Sequence, residues 1–129
     1  MSDIKISLEN MSENDRLDFL LNIHEKYFIE LKKASELPNS FWESYSSFCN
    51  TSGGLIILGV AEEYPQNKII GTANSEKILS NLWNQLSNTN KVSFRSINNN
   101  DVHTYNIDGK SIITIYVNEA AENMKPVYI

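Results

Sequence analysis

The chain of 129 residues contains a single cysteine, Cys49, so no disulfide can form within it, and the sequence fits a reducing compartment. Its two histidines, His24 and His103, stand far apart with no second cysteine near either, which excludes a zinc site of the Cys/His type. Long apolar runs are absent. The longest, Leu55-Ile56-Ile57-Leu58, is broken at Gly59 and falls far short of the roughly 20 residues needed to span a bilayer. The opening residues, Met1-Ser2-Asp3-Ile4-Lys5, lack the basic stretch and apolar core of a secretory signal, so the expected location is cytoplasmic, away from any membrane. Positive charge is also scarce. Eleven Lys and Arg face sixteen Asp and Glu, for a net charge of −5. That balance argues against a strongly basic, free-standing nucleic-acid binder and leaves room only for a local basic patch. Finally, no Gly-Lys-Ser/Thr follows the glycine pair Gly53-Gly54, so the lysine that a P-loop ATPase requires is missing.

What is present reads as globular, with 41% hydrophobic and 21% charged residues. Ser12 followed by Asp15 signals a helix N-terminus, and Leu17, Leu20, Leu21 and His24 then share one stripe. Residues 27–32 alternate as a strand, with Tyr27, Ile29 and Leu31 on one face and Phe28, Glu30 and Lys32 on the other. Pro38 opens a second helix that runs to Asn50, with Phe41, Tyr45 and Phe48 at helical spacing. The segment 55–60, which carries no polar side chain, predicts a strand covered on both faces, and Lys68-Ile69-Ile70-Gly71 predicts its hairpin return. A third helix begins at Ser75, its stripe formed by Ile78, Leu79, Leu82, Trp83 and Leu86. Strands follow at 92–97, 102–107 and 111–117, the last two joined by the hairpin signal Asp108-Gly109. The expected fold is α+β: a mixed, largely antiparallel sheet of about five to six strands packed with about three helices. Trp42, Trp83, Phe41 and Phe48 read as core, Cys49 as a buried small residue, Phe94 as core and Arg95 as surface.

Four pieces stand in a particular order: Glu25-x-x-x-x-Glu30-Leu31-Lys32, then Phe48-Cys49-Asn50-Thr51-Ser52-Gly53-Gly54, then Leu55 to Gly59-Val60, then Pro126-Val127-Tyr128. Together they resemble the Schlafen AlbA-like domain, formerly called a divergent AAA domain, over roughly residues 24 to 129. The specific part is the block from Asn-Thr-x-Gly-Gly to Gly-Val. Leu31 departs from the family's usual aromatic, Cys49 from a small residue, and Ala61 from an acid. The resemblance implies that residues 1–129 form one such domain, which could be the front piece of a longer bacterial transcriptional regulator.

Several functions are implied. The first is nucleic-acid binding, with DNA the expected form. Lys32 and Lys33 would act as point charges on phosphates, and the turn Asn50, Thr51, Gly53 and Gly54 would offer backbone N–H groups to an anion. No cofactor is needed for that. The second is a metal-dependent RNase of the Schlafen type, in which Glu25, Glu30 and Glu62 converge on magnesium or manganese that activates water. The third is a protein-interaction or dimerisation domain pairing through an open sheet edge, with a homo-oligomer as its product. Bland readings compete with each: Asn50 to Gly54 as a helix stop, Glu25 as a helix end, Glu30 paired with a lysine, and Glu62-Glu63 as a solvated turn.

Overall fold

A computed structural model describes residues 8–25, 29–33, 37–88 and 95–127. Lys26, Tyr27, Phe28, Val92, Ser93, Phe94 and Tyr128, which figure in the sequence expectations, lie outside the described residues.

The elements run in the order α1 (Glu13–Asn22), β1 (Ile29–Lys32), α2 (Ser40–Asn50), β2 (Gly54–Leu58), β3 (Val60–Ala61), β4 (Lys68–Ile69), α3 (Ser75–Leu86), β5 (Val102–Ile107) and β6 (Lys110–Val117). Ser12 caps α1 as its sequence suggests, its side chain accepting the Asp15 N–H at 3.1 Å. Asn74 does the same for α3, accepting from the Lys77 N–H. Asp108 and Gly109 both take positive φ, 52° and 78°, the two-residue turn that matches the twist of the β5–β6 hairpin.

Four strands form one sheet in the order β1-β2-β6-β5, and β3 and β4 form a separate antiparallel pair. β1 and β2 are parallel, joined through α2, while β2–β6 and β5–β6 are antiparallel. The α+β class is the one expected, and six strands are described, but they are not the same six and the sheet divides. The main chain leaves the large sheet at Gly59, so the run 55–60 serves two sheets. Of the strand expected over 92–97, residues 95–97 are irregular. Their polar groups are satisfied outside a ladder: the Tyr45 hydroxyl accepts the Ser96 N–H at 2.7 Å, and the Asn118 N–H donates to the Ser96 carbonyl at 3.0 Å.

Both faces of the large sheet are covered, which is why β2 carries no polar residue. Ile56 and Leu58 pack with Phe41, Tyr45, Phe48, Ile78 and Leu82 from α2 and α3. Leu55 and Ile57 point the other way, to Leu8, Leu20 and the β1 residues Ile29 and Leu31. Ile57 is fully buried, and removing such a side chain from water contributes roughly 2–3 kcal/mol. Among the described residues, no helix is long and apolar enough to cross a membrane.

Candidate functional site

The register of β1 on β2 decides how the sequence motifs meet. Ile29 pairs with Leu55 and Lys32 with Leu58. The Asn50–Gly54 turn therefore stands at one end of β2, and Lys32-Lys33 at the other, about 13 Å away at the rise of a strand. Both groups were named for phosphate contact within one domain. The parallel pairing separates them, and Lys32 meets Gly59 instead, its carbonyl accepting the Gly59 N–H at 2.7 Å.

At the first end, the polar groups are turned inward. The Asn50 side chain clasps the main chain of Val127: its amide donates to the Val127 carbonyl at 2.8 Å, and its oxygen accepts the Val127 N–H at 2.7 Å. Ser46 donates to the same carbonyl at 2.7 Å. The Thr51 hydroxyl donates to the Ser47 carbonyl, and the Thr51 and Gly53 N–H groups both reach back to Phe48 O, closing the end of α2. Gly53 takes φ +81°, and a Cβ there would come within 2.8 Å of the Val117 carbonyl. Gly54 lies flat against the Phe48 ring, where a Cβ would approach to 2.7 Å. The Asn-Thr-x-Gly-Gly block thus joins α2 to β2, β6 and the Pro126-Val127 segment, with Gly53 and Gly54 placed where backbone must pass closely.

Along the outer edge of β1, the edge strand of the large sheet, the acidic residues gather. The Glu25 N–H donates to Glu62 Oε2 at 2.6 Å, and Glu25 Oε2 accepts the Leu31 N–H at 3.0 Å. His24 Nδ1 lies 3.6 Å from the same Glu62 oxygen. Burial, and next the neighbouring Glu25, hold the Glu30 carboxyl above the ordinary glutamate range, with Lys32 pulling the other way. Glu25, Glu30 and Glu62 are therefore brought together. Yet Glu25 and Glu62 each commit an oxygen to a main-chain N–H. Among the described residues, no three His, Cys, Asp or Glu side chains are disposed to hold a metal ion.

Asn67 fixes the turn that follows Glu62, a role that no local pattern around it signals. Buried in the β3–β4 turn, its amide donates to the Leu20 and Ile23 carbonyls at the end of α1. Its main-chain N–H donates to the Leu21 carbonyl. Its side-chain oxygen accepts the Glu63 N–H at 3.2 Å. One residue satisfies the unpaired end of a helix and fixes the hairpin beside it.

The two lysines differ. Lys32 is largely covered, its ammonium 3.1 Å from the Ser40 hydroxyl and 3.8 Å from Glu30. Lys33 is exposed and makes no ion pair among the described residues. It borders a groove of about 590 Å³ that Lys110 and Ser111 border from the β5–β6 hairpin. Elsewhere the bland expectations hold. Cys49 is fully buried, which raises its thiol pKa, and Arg95 is exposed and lies over the Trp83 ring at 5.1 Å.

Residues 25–128 match the family model described as Schlafen, AlbA_2. The chain belongs to the Schlafen AlbA_2 family. The match covers the acidic cluster, both ends of β2 and the Val127 clasp. Among solved structures, this AlbA_2 domain is similar to the N-terminal domain of a protein from Nitrosomonas europaea described as ATP-dependent DNA helicase RecG-related. The two are 27% identical with a TM-score of 0.69, over 92% of this chain and 80% of that one. A second structure, the DIP2311 protein from Corynebacterium diphtheriae, is 19% identical with a TM-score of 0.49, over 77% of this chain and 18% of that one. No curated protein matches.

Proposed function

We propose that this AlbA_2 domain binds nucleic acid, DNA in the first instance, as the contact module of a bacterial transcriptional regulator, and that the Lys33 end of the sheet faces the phosphates. One observation chiefly supports the reading. On a chain of net charge −5, Lys33 and Lys110 border one groove, and neither pairs with a carboxylate among the described residues. Similarity to the N-terminal domain of a protein described as DNA helicase-related adds support.

The acidic remainder of the surface repels a polyanion, which confines contact to this end and keeps the number of phosphates small. Two lysine–phosphate ion pairs correspond to a slope of at most about −1.8 in log affinity against log salt. Binding should therefore be weak, only mildly salt-dependent and largely indifferent to sequence.

Fluorescence anisotropy with double-stranded DNA, single-stranded DNA and tRNA, over a salt series, tests this. Lys33→Ala is expected to weaken binding to all sequences alike and to flatten the salt slope by about 1. Lys32→Ala should act mainly on stability, because its ammonium is already engaged with Ser40 and Glu30. A Lys33→Ala isotherm that overlays the wild type at every salt concentration refutes the assigned face.

A further inference from the structure

The groove at the Gly59 end of the sheet holds more than two charges. One wall is the segment Ile70-Gly71-Thr72, and the other is the start of β6 at Lys110 and Ser111. The first wall is pinned from behind. The Ile70 and Gly71 N–H groups both donate to the Gly59 carbonyl at 2.8 Å, and the Thr72 N–H donates to the Ser111 carbonyl at 2.8 Å. Gly71 lies so close to the second wall that a Cβ there would sit 2.9 Å from Lys110 Cβ. The groove is a consequence of tied backbone, with little dependence on side-chain conformation.

Three features of the lining have no explanation in the fold. Ile70 is one of the few large apolar side chains left exposed, at 41%. The Lys110 ammonium rests on a main-chain carbonyl, that of Ile69 at 3.2 Å, and keeps further N–H donors free. The Ser111 hydroxyl oxygen is buried with no hydrogen-bond partner among the described residues. An unsatisfied buried hydroxyl is unfavourable, and a turn about χ1 is the ordinary way for serine to present its oxygen to a neighbouring space.

We infer that this groove is a nucleotide subsite, in which Lys33 and Lys110 hold a phosphate group, Ser111 adds a neutral hydrogen bond, and Ile70 packs against the sugar or base. The inference rests on the nucleic-acid reading above only for the source of the nucleotide. The same chemistry would take a free nucleoside monophosphate or one unit of a strand.

The test is a series of 1H–15N correlation spectra of the whole chain, titrated separately with inorganic phosphate, adenosine, adenosine monophosphate and a short single-stranded oligonucleotide. Adenosine monophosphate is expected to shift the Gly71, Thr72, Gly109 and Ser111 amides, inorganic phosphate to shift the same set less strongly, and adenosine to leave them in place. Lys33→Ala and Lys110→Ala should each weaken monophosphate binding by about tenfold, the equivalent of one charge-assisted hydrogen bond. Ser111→Ala should weaken it less, while leaving the melting temperature unchanged or higher, since it removes an unsatisfied hydroxyl.

If the oligonucleotide binds, its shifts miss these amides, and the Lys33→Ala/Lys110→Ala double variant binds it as the wild type does, then the groove is not the subsite and nucleic-acid binding itself survives. If the monophosphate shifts these amides and no oligonucleotide binds at all, the groove stands and the nucleic-acid reading falls. If no phosphate-bearing probe moves the four amides, the inference is overturned outright.

Discussion

Replacing Asn50 with alanine separates two roles for the same residue. The motif that contains it suggests a phosphate contact, but its side chain is spent on Val127, whose main chain is buried. In Asn50→Ala the Val127 N–H loses its partner at 2.7 Å, and an unsatisfied buried donor costs about 1–3 kcal/mol. The Val127 carbonyl loses one donor but keeps the Ser46 hydroxyl, a further loss of about 0.5–1 kcal/mol. The total is about 1.5–4 kcal/mol, which for a chain of this size lowers the melting temperature by about 6–16 °C. Ser46→Ala removes a single donor from the same carbonyl and should cost only about 0.5–1 kcal/mol. Circular dichroism melts of both variants, with anisotropy measured where each is folded, give the ranking. An Asn50→Ala melt no lower than that of Ser46→Ala, together with lost nucleic-acid affinity, would refute the clasp and return Asn50 to the binding surface.

Three further outcomes are read by stability measurements. Glu30 holds its proton more tightly in the folded chain than in the unfolded one, so its contribution is fully present below about pH 4.5 and is lost as pH rises through its raised pKa. Glu30→Gln should therefore raise the melting temperature at pH 7 and confer no gain near pH 4; a pH-independent difference contradicts this. Gly53→Ala must place a Cβ at φ +81° against the Val117 carbonyl, while Gly109→Ala at φ +78° meets nothing within 4 Å. The second should lose only the roughly 1–2 kcal/mol of the left-handed conformation, and the first distinctly more; equal losses in guanidinium titrations would remove the close-packing argument. Asn67→Ala should cost about 2–4 kcal/mol, because it leaves carbonyls at the end of α1 and the Glu63 N–H without their partner, and a melt within 3 °C of wild type would show the α1–hairpin junction to be dispensable.

Periodicity made most of the fold legible. The helical stripes of α1, α2 and α3, the unbroken apolar run of β2 and the Asp108-Gly109 turn each state a local preference that the tertiary structure keeps. What stayed hidden was relative placement. No local signal says that β1 runs parallel to β2, yet that register alone puts Lys32 at Gly59 and away from Gly53-Gly54. The division of the run 55–60 between two sheets was equally invisible, because Gly59 reads the same in a continuous strand and at a departure from one. The 95–97 segment alternates like a strand, but a hydroxyl from α2 and the residue after β6 take its hydrogen bonds. Of the candidate residues, the acidic three were found because their spacing is carried by a motif. Lys110 and Ser111 were not singled out as a site, since they sit after a turn whose signal concerns only the hairpin.

The two ends of β2 show why motif membership and availability for a ligand are separate questions. A polar atom can meet a ligand only if folding has not already committed it. At the Gly53 end, the side chains of Asn50 and Thr51 and the N–H groups of Thr51 and Gly53 all find partners within the chain, so the motif residues most distinctive in the sequence have least left to offer. At the Gly59 end, the backbone is equally well tied, but the side chains it carries are not: Lys33 has no carboxylate, Lys110 has only a carbonyl, and the Ser111 hydroxyl has nothing among the described residues. The same physics produces both results. Backbone that must pass closely is held by glycine and internal hydrogen bonds, and the rigidity so obtained is what allows unpaired side chains nearby to keep a fixed spacing. A binding face on an acidic chain should be sought where rigid main chain presents unsatisfied donors, and in this domain that condition is met beside Lys33.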